Sequence, residues 1–203
     1  TAGLVDTNVG LSSFDYAVFA GHKTLYGPTG ISGFVMDPEI KLPPVLFGGT
    51  GFESANQDQP DSLPERFEIG TLNISGVAGL NAALKWSTKI GIQTIADKES
   101  ANRERLLSIL GEYDWIKIIG NEAGNEYVGI VSCLIEGISS DSAETIFSER
   151  GIAVRTGLQC APLAHKFMRT YPSGTVRFSV CYFTSEDDFT ELKDALDDIE
   201  EEM

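Results

Sequence analysis

A lysine in a glycine-rich loop is the feature that most constrains this chain. It lies in AGHKTLYGPTGISG, residues 20–33, between two short apolar runs, DYAVF at 15–19 and ISGFVM at 31–36. These runs have the composition of β-strands, and the glycines between them let the backbone approach a ligand closely. A solvent-exposed loop lysine is the plain alternative. A nucleotide P-loop is excluded, because it requires glycine directly before the lysine and this chain has His22 there.

The rest of the chain predicts a long irregular stretch followed by an α/β domain. Glycine, proline and polar residues dominate residues 41–73, and long loops of this kind are commonly functional. Ser185 and Asp188 open a last helix. We divide the chain near residue 92, into domains 1–91 and 92–203. Apolar spacing and turn signals predict helices at 77–90 and at 94–111, and a third helix that Asp141 and Glu144 cap and Gly151 ends. They predict strands at 115–119, 128–136, 153–157 and 175–183. The apolar face of the last helix is predicted to consist of Phe189, Leu192, Leu196, Ile199 and Met203.

The charge balance excludes some classes of partner. The chain has 30 acidic and 15 basic residues and a formal net charge of −15, which disfavours contact with nucleic acid and with anionic membrane surfaces. Ten of the acids lie between residues 186 and 202, where we expect a solvated helix face. No long apolar run predicts a membrane span. Three cysteines without CxxC spacing predict neither disulfides nor a metal site, and a reducing cytoplasm fits them best.

The lysine loop resembles the cofactor-lysine signature of the class V aminotransferases. The match rests on His22, Lys23 and the glycines and proline of GPTG at 27–30. The resemblance implies that Lys23 bonds pyridoxal 5'-phosphate and that His22 contacts its phosphate. Ala20 departs from the pattern, because many members have a hydroxyl residue there that also contacts the phosphate. A lysine must be neutral for part of its time to attack an aldehyde, and burial beside other cations favours that form.

A second segment, RFEIGTLN at 66–73, resembles a stretch of the same family that reaches the phosphate across a subunit interface. Thr71 takes the phosphate-binding position in this comparison. The resemblance therefore implies a homodimer with its active sites at the interface, and GGTG at 48–51 is expected to be a nearby loop. The alternative is ordinary helix capping at Gly70 and Thr71, since a helix N-terminus near Ile74 favours an anion in either case.

A third segment, RTGLQCAPLAH at 155–165, resembles the cysteine loop of one group of cysteine desulfurases. It makes Cys160 the candidate nucleophile and Arg155 a neighbouring substrate-binding cation. A thiolate is favoured beside an arginine and attacks sulfur readily. Cys133 and Cys181 lie in predicted apolar strands, where burial as small hydrophobes is expected. We give little weight to a cysteine protease pair of Cys160 with His165, because such pairs are rarely so close in sequence.

The last segment, GTVRFSV at 174–180, resembles the strand that carries the family's substrate-carboxylate arginine, which here is Arg177. A planar guanidinium suits the carboxylate of an amino acid. The alternative for Arg177 is an ion pair with one of the chain's own acids.

Together these segments imply a fold type I pyridoxal-phosphate enzyme of the α/β class, with residues 1–91 ending the large domain and residues 92–203 forming the small domain. The implied reaction is that of a cysteine desulfurase, which converts L-cysteine to L-alanine and leaves an enzyme persulfide for a sulfur-acceptor protein. Rival activities are selenocysteine lyase, aminotransferase or another carbon–sulfur lyase. A cofactor-free piece that only self-associates or binds a partner is the rival outside the enzymes.

The first residue, Thr1, is not methionine, and members of the family are about twice as long as this chain. We therefore expect a fragment. The absent half would supply the aspartate at the pyridine nitrogen, the residue that stacks on the ring and the main phosphate loop. By itself this fragment should fold over residues 92–203 and bind the cofactor weakly or not at all. Residues 1–91 should expose strand edges and apolar surface.

Overall fold

The structure, a computed structural model, describes residues 2–5, 7 and 14–203. It divides into two compact units, residues 1–92 and residues 93–203. The sequence-based division falls between residues 91 and 92. Within the predicted first domain, Thr1, Asp6 and residues 8–13 lie outside the described residues. No helix in the described part of the chain is both long enough and apolar enough to cross a membrane.

The first unit consists of a strand pair, a long irregular segment and a helix. β1 (Tyr16–Ala20) pairs antiparallel with β2 (Ser32–Met36), which confirms the two predicted strands to within a residue at each end. A single turn of 3₁₀ helix, Glu65–Phe67, interrupts the irregular stretch before α1 (Ile74–Ile90).

The N-cap of α1 corrects one sequence-based alternative. Gly70 and Thr71 do not cap the helix; the side chain of Asn73 does, by accepting a hydrogen bond from the Gly76 amide at 2.9 Å. Thr71 is exposed and lies two residues before the cap. The Thr71 hydroxyl therefore does not act as the capping group of the first turn of α1.

The second unit is an antiparallel sheet with three of its helices packed on one face. The sheet order is β3-β4-β6-β5, and every neighbouring pair is antiparallel. The elements are α2 (Ile92–Leu110), β3 (Ile116–Ile119), β4 (Ile130–Ile135), α3 (Ser140–Glu149), β5 (Arg155–Gly157), α4 (Pro162–Phe167), β6 (Thr175–Ser179) and α5 (Glu186–Glu202).

The core of this unit follows from the period of two along the strands. Alternate strand residues face the helices, and the intervening ones face the other side of the sheet. Leu106, Ile109 and Leu110 of α2 line the helical side of the core at helical spacing. The buried set also contains Ile116, Val131, Cys133, Ile135, Phe147, Val176, Phe178, Phe189, Leu192, Leu196 and Ile199.

Three details of the predicted elements were wrong. Ser139 caps α3 by accepting from the Ser142 amide at 3.2 Å, and Asp141 instead lies in the first helical turn, where a negative charge is favourable. Met203 lies beyond α5 and is 60% exposed, so it does not extend the apolar face. β6 ends at Ser179 rather than at residue 183.

The early end of β6 has a physical cause in α2. The buried side chain of Asn102 donates to the carbonyl oxygens of Cys181 at 2.8 Å and of Thr184 at 3.3 Å, which draws this segment into a turn. Cys181 therefore lies after the strand and not within it. The predicted opening of α5 is confirmed, because Ser185 and Asp188 form a complete capping box.

Phe147 provides a test of the core. Its side chain is fully buried and meets Phe178 edge to face at 5.3 Å between ring centroids. We expect Phe147→Ala to lower the free energy of unfolding by about 3–5 kcal/mol, measured by urea denaturation. Phe167→Ala is the matched control, because Phe167 is 85% exposed, and it should change that free energy by less than about 0.5 kcal/mol. Equal losses would contradict this description of the core.

Candidate active-site elements

The lysine loop is closed on itself by backbone hydrogen bonds. The Gly21 amide donates to the carbonyl oxygen of Ile31 at 3.0 Å, and the Gly27 amide donates to that of Gly21 at 2.8 Å. Both Lys23 and His22 are exposed on this loop. The backbone of the lysine is thus fixed while its amine is left free to reach a ligand.

Close packing against α1 explains the small residues of the loop. A Cβ atom at Gly27 would lie 2.6 Å from the carbonyl oxygen of Gly21, and one at Gly79 of α1 would lie 2.8 Å from the ring of Pro28. Any larger residue at either position would separate these surfaces. The Asn73 side chain also donates to the Gly30 carbonyl oxygen at 3.1 Å, so the cap of α1 holds the loop as well.

Thr71 lies in the segment that leads into α1, two residues before its N-cap. The amide of its neighbour Gly70 donates to Gly49 of the GGTG loop at 2.7 Å, and Asn73 follows two residues later. The structure therefore brings the GGTG loop next to Thr71, in the first unit, while the place of this loop beside an active site stays a prediction. An exposed hydroxyl beside a helix N-terminus is chemistry that suits a phosphate.

In the second unit, Arg155 and Arg177 are direct cross-strand partners in the β5–β6 pair. Both lie on the face opposite the buried Val176 and Phe178. Among the described residues, neither guanidinium forms an ion pair with a carboxylate. The buried Nε of Arg177 has no hydrogen-bond partner in that part of the chain.

An unpaired arginine pair of this kind is unfavourable by itself. Like charges directly opposite in a sheet destabilise it, and a buried N–H without a partner adds a cost of about 1–3 kcal/mol. An anion with two oxygen atoms, such as a carboxylate, would offset the repulsion between the two guanidinium groups. The alternative prediction of an internal ion pair for Arg177 is not met among the residues that the structure describes.

Cys160 occupies a turn between β5 and α4, and it is exposed. Gln159 and Cys160 have φ angles of 42° and 62°, so two consecutive residues other than glycine adopt the left-handed conformation. Each such residue costs about 1–2 kcal/mol, and the turn needs contacts that compensate. Gln159 supplies them through hydrogen bonds to β5, β6 and His165.

Sequence reasoning missed Gln159 and treated His165 only as a weak partner for a protease pair. His165 is buried, and its ring nitrogens meet the side chains of Gln159 and Thr170. The only sequence signal for this network is the presence of Gln159 and His165 within six residues of each other, on either side of Cys160 and an apolar stretch.

The other two cysteines differ from Cys160 in exposure. Cys133 is fully buried in β4, and burial raises the pKa of its thiol to about 12. Cys181 is partly buried in the turn after β6. Cys160 is therefore the most accessible of the three thiols.

Comparison with known proteins identifies relatives along nearly the whole chain. The family model described as "Aminotransferase class-V" matches residues 3–192. A probable cysteine desulfurase of Methanothermobacter thermautotrophicus is 32% identical over 97% of this chain and 50% of that protein. The chain spans about half the length of the curated relatives it matches.

Solved structures give the same pattern. A cysteine desulfurase from Thermococcus onnurineus superposes with a TM-score of 0.85 at 28% identity, over 100% of this chain and 51% of that one. A cysteine desulfurase from Escherichia coli superposes with a TM-score of 0.81 at 27% identity, over 100% of this chain and 50% of that one.

The exposure of the three thiols predicts their order of alkylation. In the folded chain, iodoacetamide should modify Cys160 first and Cys181 more slowly, and it should reach Cys133 only after unfolding, because a buried thiol is rarely ionised. Peptide mass spectrometry over a time course measures the order. Modification of Cys133 as fast as Cys160 would contradict the arrangement of β4 and the cysteine turn.

Proposed function

This chain belongs to the class V aminotransferase family and has the fold of the fold type I pyridoxal-phosphate enzymes, and we propose that it supplies catalytic elements of a cysteine desulfurase. In this proposal residues 1–91 end the cofactor-binding large domain and residues 92–203 form the small domain. The observation that carries it is the cysteine turn after β5, which presents an exposed Cys160, together with the cross-strand pair Arg155 and Arg177, neither of which forms an ion pair among the described residues.

The first unit offers groups that fit pyridoxal 5'-phosphate. Lys23 presents a primary amine for the cofactor aldehyde, while the His22 imidazole and the Thr71 hydroxyl suit its phosphate. The loop hydrogen bonds and the Asn73 contact fix the backbone around Lys23, so binding of the cofactor orders only the side chain. When bound, the cofactor supplies an electron sink for the carbon atoms of the substrate. We assign to Lys23 both cofactor attachment and proton transfer at the substrate α-carbon.

The second unit offers groups that fit the substrate and the sulfur. The Arg177 guanidinium, with Arg155 opposite it, would bind the carboxylate of L-cysteine. The Cys160 thiolate would attack the substrate sulfur, forming an S–S bond as the carbon–sulfur bond breaks and its electron pair passes to carbon. A proton then completes L-alanine. The balance is L-cysteine plus the Cys160 thiol giving L-alanine plus the Cys160 persulfide.

Two further features of the proposal concern partners. The exposed apolar residues Val18, Val45, Leu46 and Phe47 of the first unit favour a covered surface in the whole protein, and Thr71 would contact the cofactor phosphate of the other subunit of a homodimer.

An acceptor protein would remove the persulfide sulfur. The chemistry requires Cys160 as a free thiol, a state that the reducing cytoplasm maintains.

Other activities of the family remain the second candidate. A selenocysteine lyase, an aminotransferase or another carbon–sulfur lyase would use Lys23 and Arg177 in the same roles but would not need the Cys160 thiol. The exposure of Cys160 and its strained turn favour the desulfurase, since burial is the usual state of a structural cysteine.

Lys23→Ala tests the cofactor assignment in the protein that carries this chain. The substitution removes the amine that bonds the aldehyde, so both covalently bound pyridoxal and all turnover of L-cysteine should be lost. Borohydride reduction followed by peptide mapping measures the bound cofactor. Lys41→Ala in the irregular stretch is the control and should retain it. Reduced cofactor on another lysine would overturn the assignment.

Cys160→Ser tests the reaction type. Serine preserves the size of the side chain but is a poor nucleophile toward sulfur, so persulfide and sulfide formation should stop while bound pyridoxal phosphate is unchanged. Cys181→Ser, at the other partly accessible thiol, should leave both measurements unchanged. Undiminished sulfide release from Cys160→Ser would favour another lyase activity over a desulfurase.

Arg177→Ala tests carboxylate binding. Loss of one partner of a desolvated charge pair should lower kcat/KM for L-cysteine by a factor corresponding to about 2–5 kcal/mol. Arg177→Lys should restore only part of it, because an ammonium cannot bind both carboxylate oxygens in a planar fork. Steady-state kinetics over a range of cysteine concentrations supplies the measurement. Unchanged kcat/KM in both variants would show that Arg177 does not bind the substrate.

A further inference from the structure

The amide of Gln159 has only one orientation that satisfies its surroundings. Its Nε2 lies 3.3 Å from the carbonyl oxygen of Arg155 and 3.1 Å from that of Thr175, and carbonyl oxygens only accept hydrogen bonds. The NH₂ group must therefore face these two strands, and Oε1 must face the other way. There Oε1 accepts from the Thr175 hydroxyl at 3.3 Å.

This orientation fixes the hydrogen on the ring of His165. Nε2 of His165 lies 3.1 Å from Gln159 Oε1, which can only accept, so Nε2 must carry a hydrogen. Nδ1 lies 2.8 Å from the Thr170 hydroxyl, which donates to it when the ring is neutral. The same hydroxyl can donate to the His165 carbonyl oxygen at 3.4 Å when the ring is charged. Both protonation states thus keep the network intact.

The network excludes His165 as a base for Cys160. Both of its ring nitrogens already have side-chain partners, and neither partner is the thiol. His165 acts instead on Gln159, the residue directly before Cys160. The amide of Gln159 is held from β5, β6 and α4 at once, while the thiol of the next residue faces solvent.

We propose that Gln159 and His165 are positioning residues, which hold the strained Gln159–Cys160 turn in the conformation that presents the thiol to the substrate sulfur. The inference rests on the proposed function of Cys160 as the sulfur-accepting nucleophile. A turn with two left-handed residues other than glycine is strained, and it persists only when other contacts offset the strain. The four hydrogen bonds of the Gln159 side chain are such contacts. Without them the turn relaxes and the thiol loses its position.

Three substitutions test the network in the protein that carries this chain. Gln159→Glu keeps an acceptor for His165 but has no hydrogen for the Arg155 and Thr175 carbonyl oxygens. His165→Leu removes the ring hydrogen bonds, whereas His165→Gln can still present an N–H to Gln159. The control is Asn102→Leu, which removes two hydrogen bonds from a buried amide to backbone carbonyl oxygens elsewhere in the same unit.

The measurements are kcat and KM for sulfide release, per mole of bound pyridoxal phosphate, and the thermal unfolding midpoint Tm. Gln159→Glu and His165→Leu should lower kcat by about tenfold to a hundredfold, the usual cost of a reacting group misplaced by about an ångström, with little change in KM. His165→Gln should recover much of the loss. Asn102→Leu should lower Tm without lowering kcat.

Three results would overturn the proposal. Wild-type kcat in both Gln159→Glu and His165→Leu, alongside an inactive Cys160→Ser, would refute the positioning role and leave the desulfurase assignment intact. A kcat that follows Tm in all variants, including Asn102→Leu, would show a purely structural network. Turnover that survives in Cys160→Ser would instead refute the proposed function, and the positioning role with it.

Discussion

The register of β6 between β4 and β5 is the constraint on which the second unit depends. In this register Val176 and Phe178 enter the core, while Arg177 lies on the other face between Ser132 and Arg155. A slip of one residue would bury the guanidinium under the helices and expose the apolar pair. Core packing and arginine placement are therefore set by one alignment, and a change that disturbs either would disturb both.

The two candidate site loops are supported in different ways. In the lysine loop Gly27 permits a close approach that any Cβ would block, and one residue other than glycine, Tyr26, is left-handed with a φ angle of 58°. The cysteine turn has two such residues in a row, Gln159 and Cys160. Its conformation is held by the amide of Gln159. Close backbone packing therefore supports the first loop, and side-chain hydrogen bonds support the second.

Much of this structure could be predicted from the sequence, and the exceptions have physical reasons. Period and caps are local signals, and the strands around Lys23 and the start of α5 were predicted correctly from them. The cap of α3 was not, because Ser139 and Asp141 are both good capping residues only two positions apart. The end of β6 was not, because it depends on Asn102, far away in the chain. The Gln159 network was missed for the same reason, since a glutamine alone gives no sign of the strands that its amide will meet.

The separation of charge across the second unit keeps the ten acidic residues between 186 and 202 away from Arg155 and Arg177, which form no ion pair among the described residues. The apolar face of α5 packs on the core side of the sheet, so the ten acids between residues 186 and 202 lie with the helical layer. Arg155 and Arg177 lie on the opposite face. The sheet and core stand between the two charges, and the guanidinium groups remain available to an external carboxylate. A strongly acidic chain can thus keep a local site for an anion.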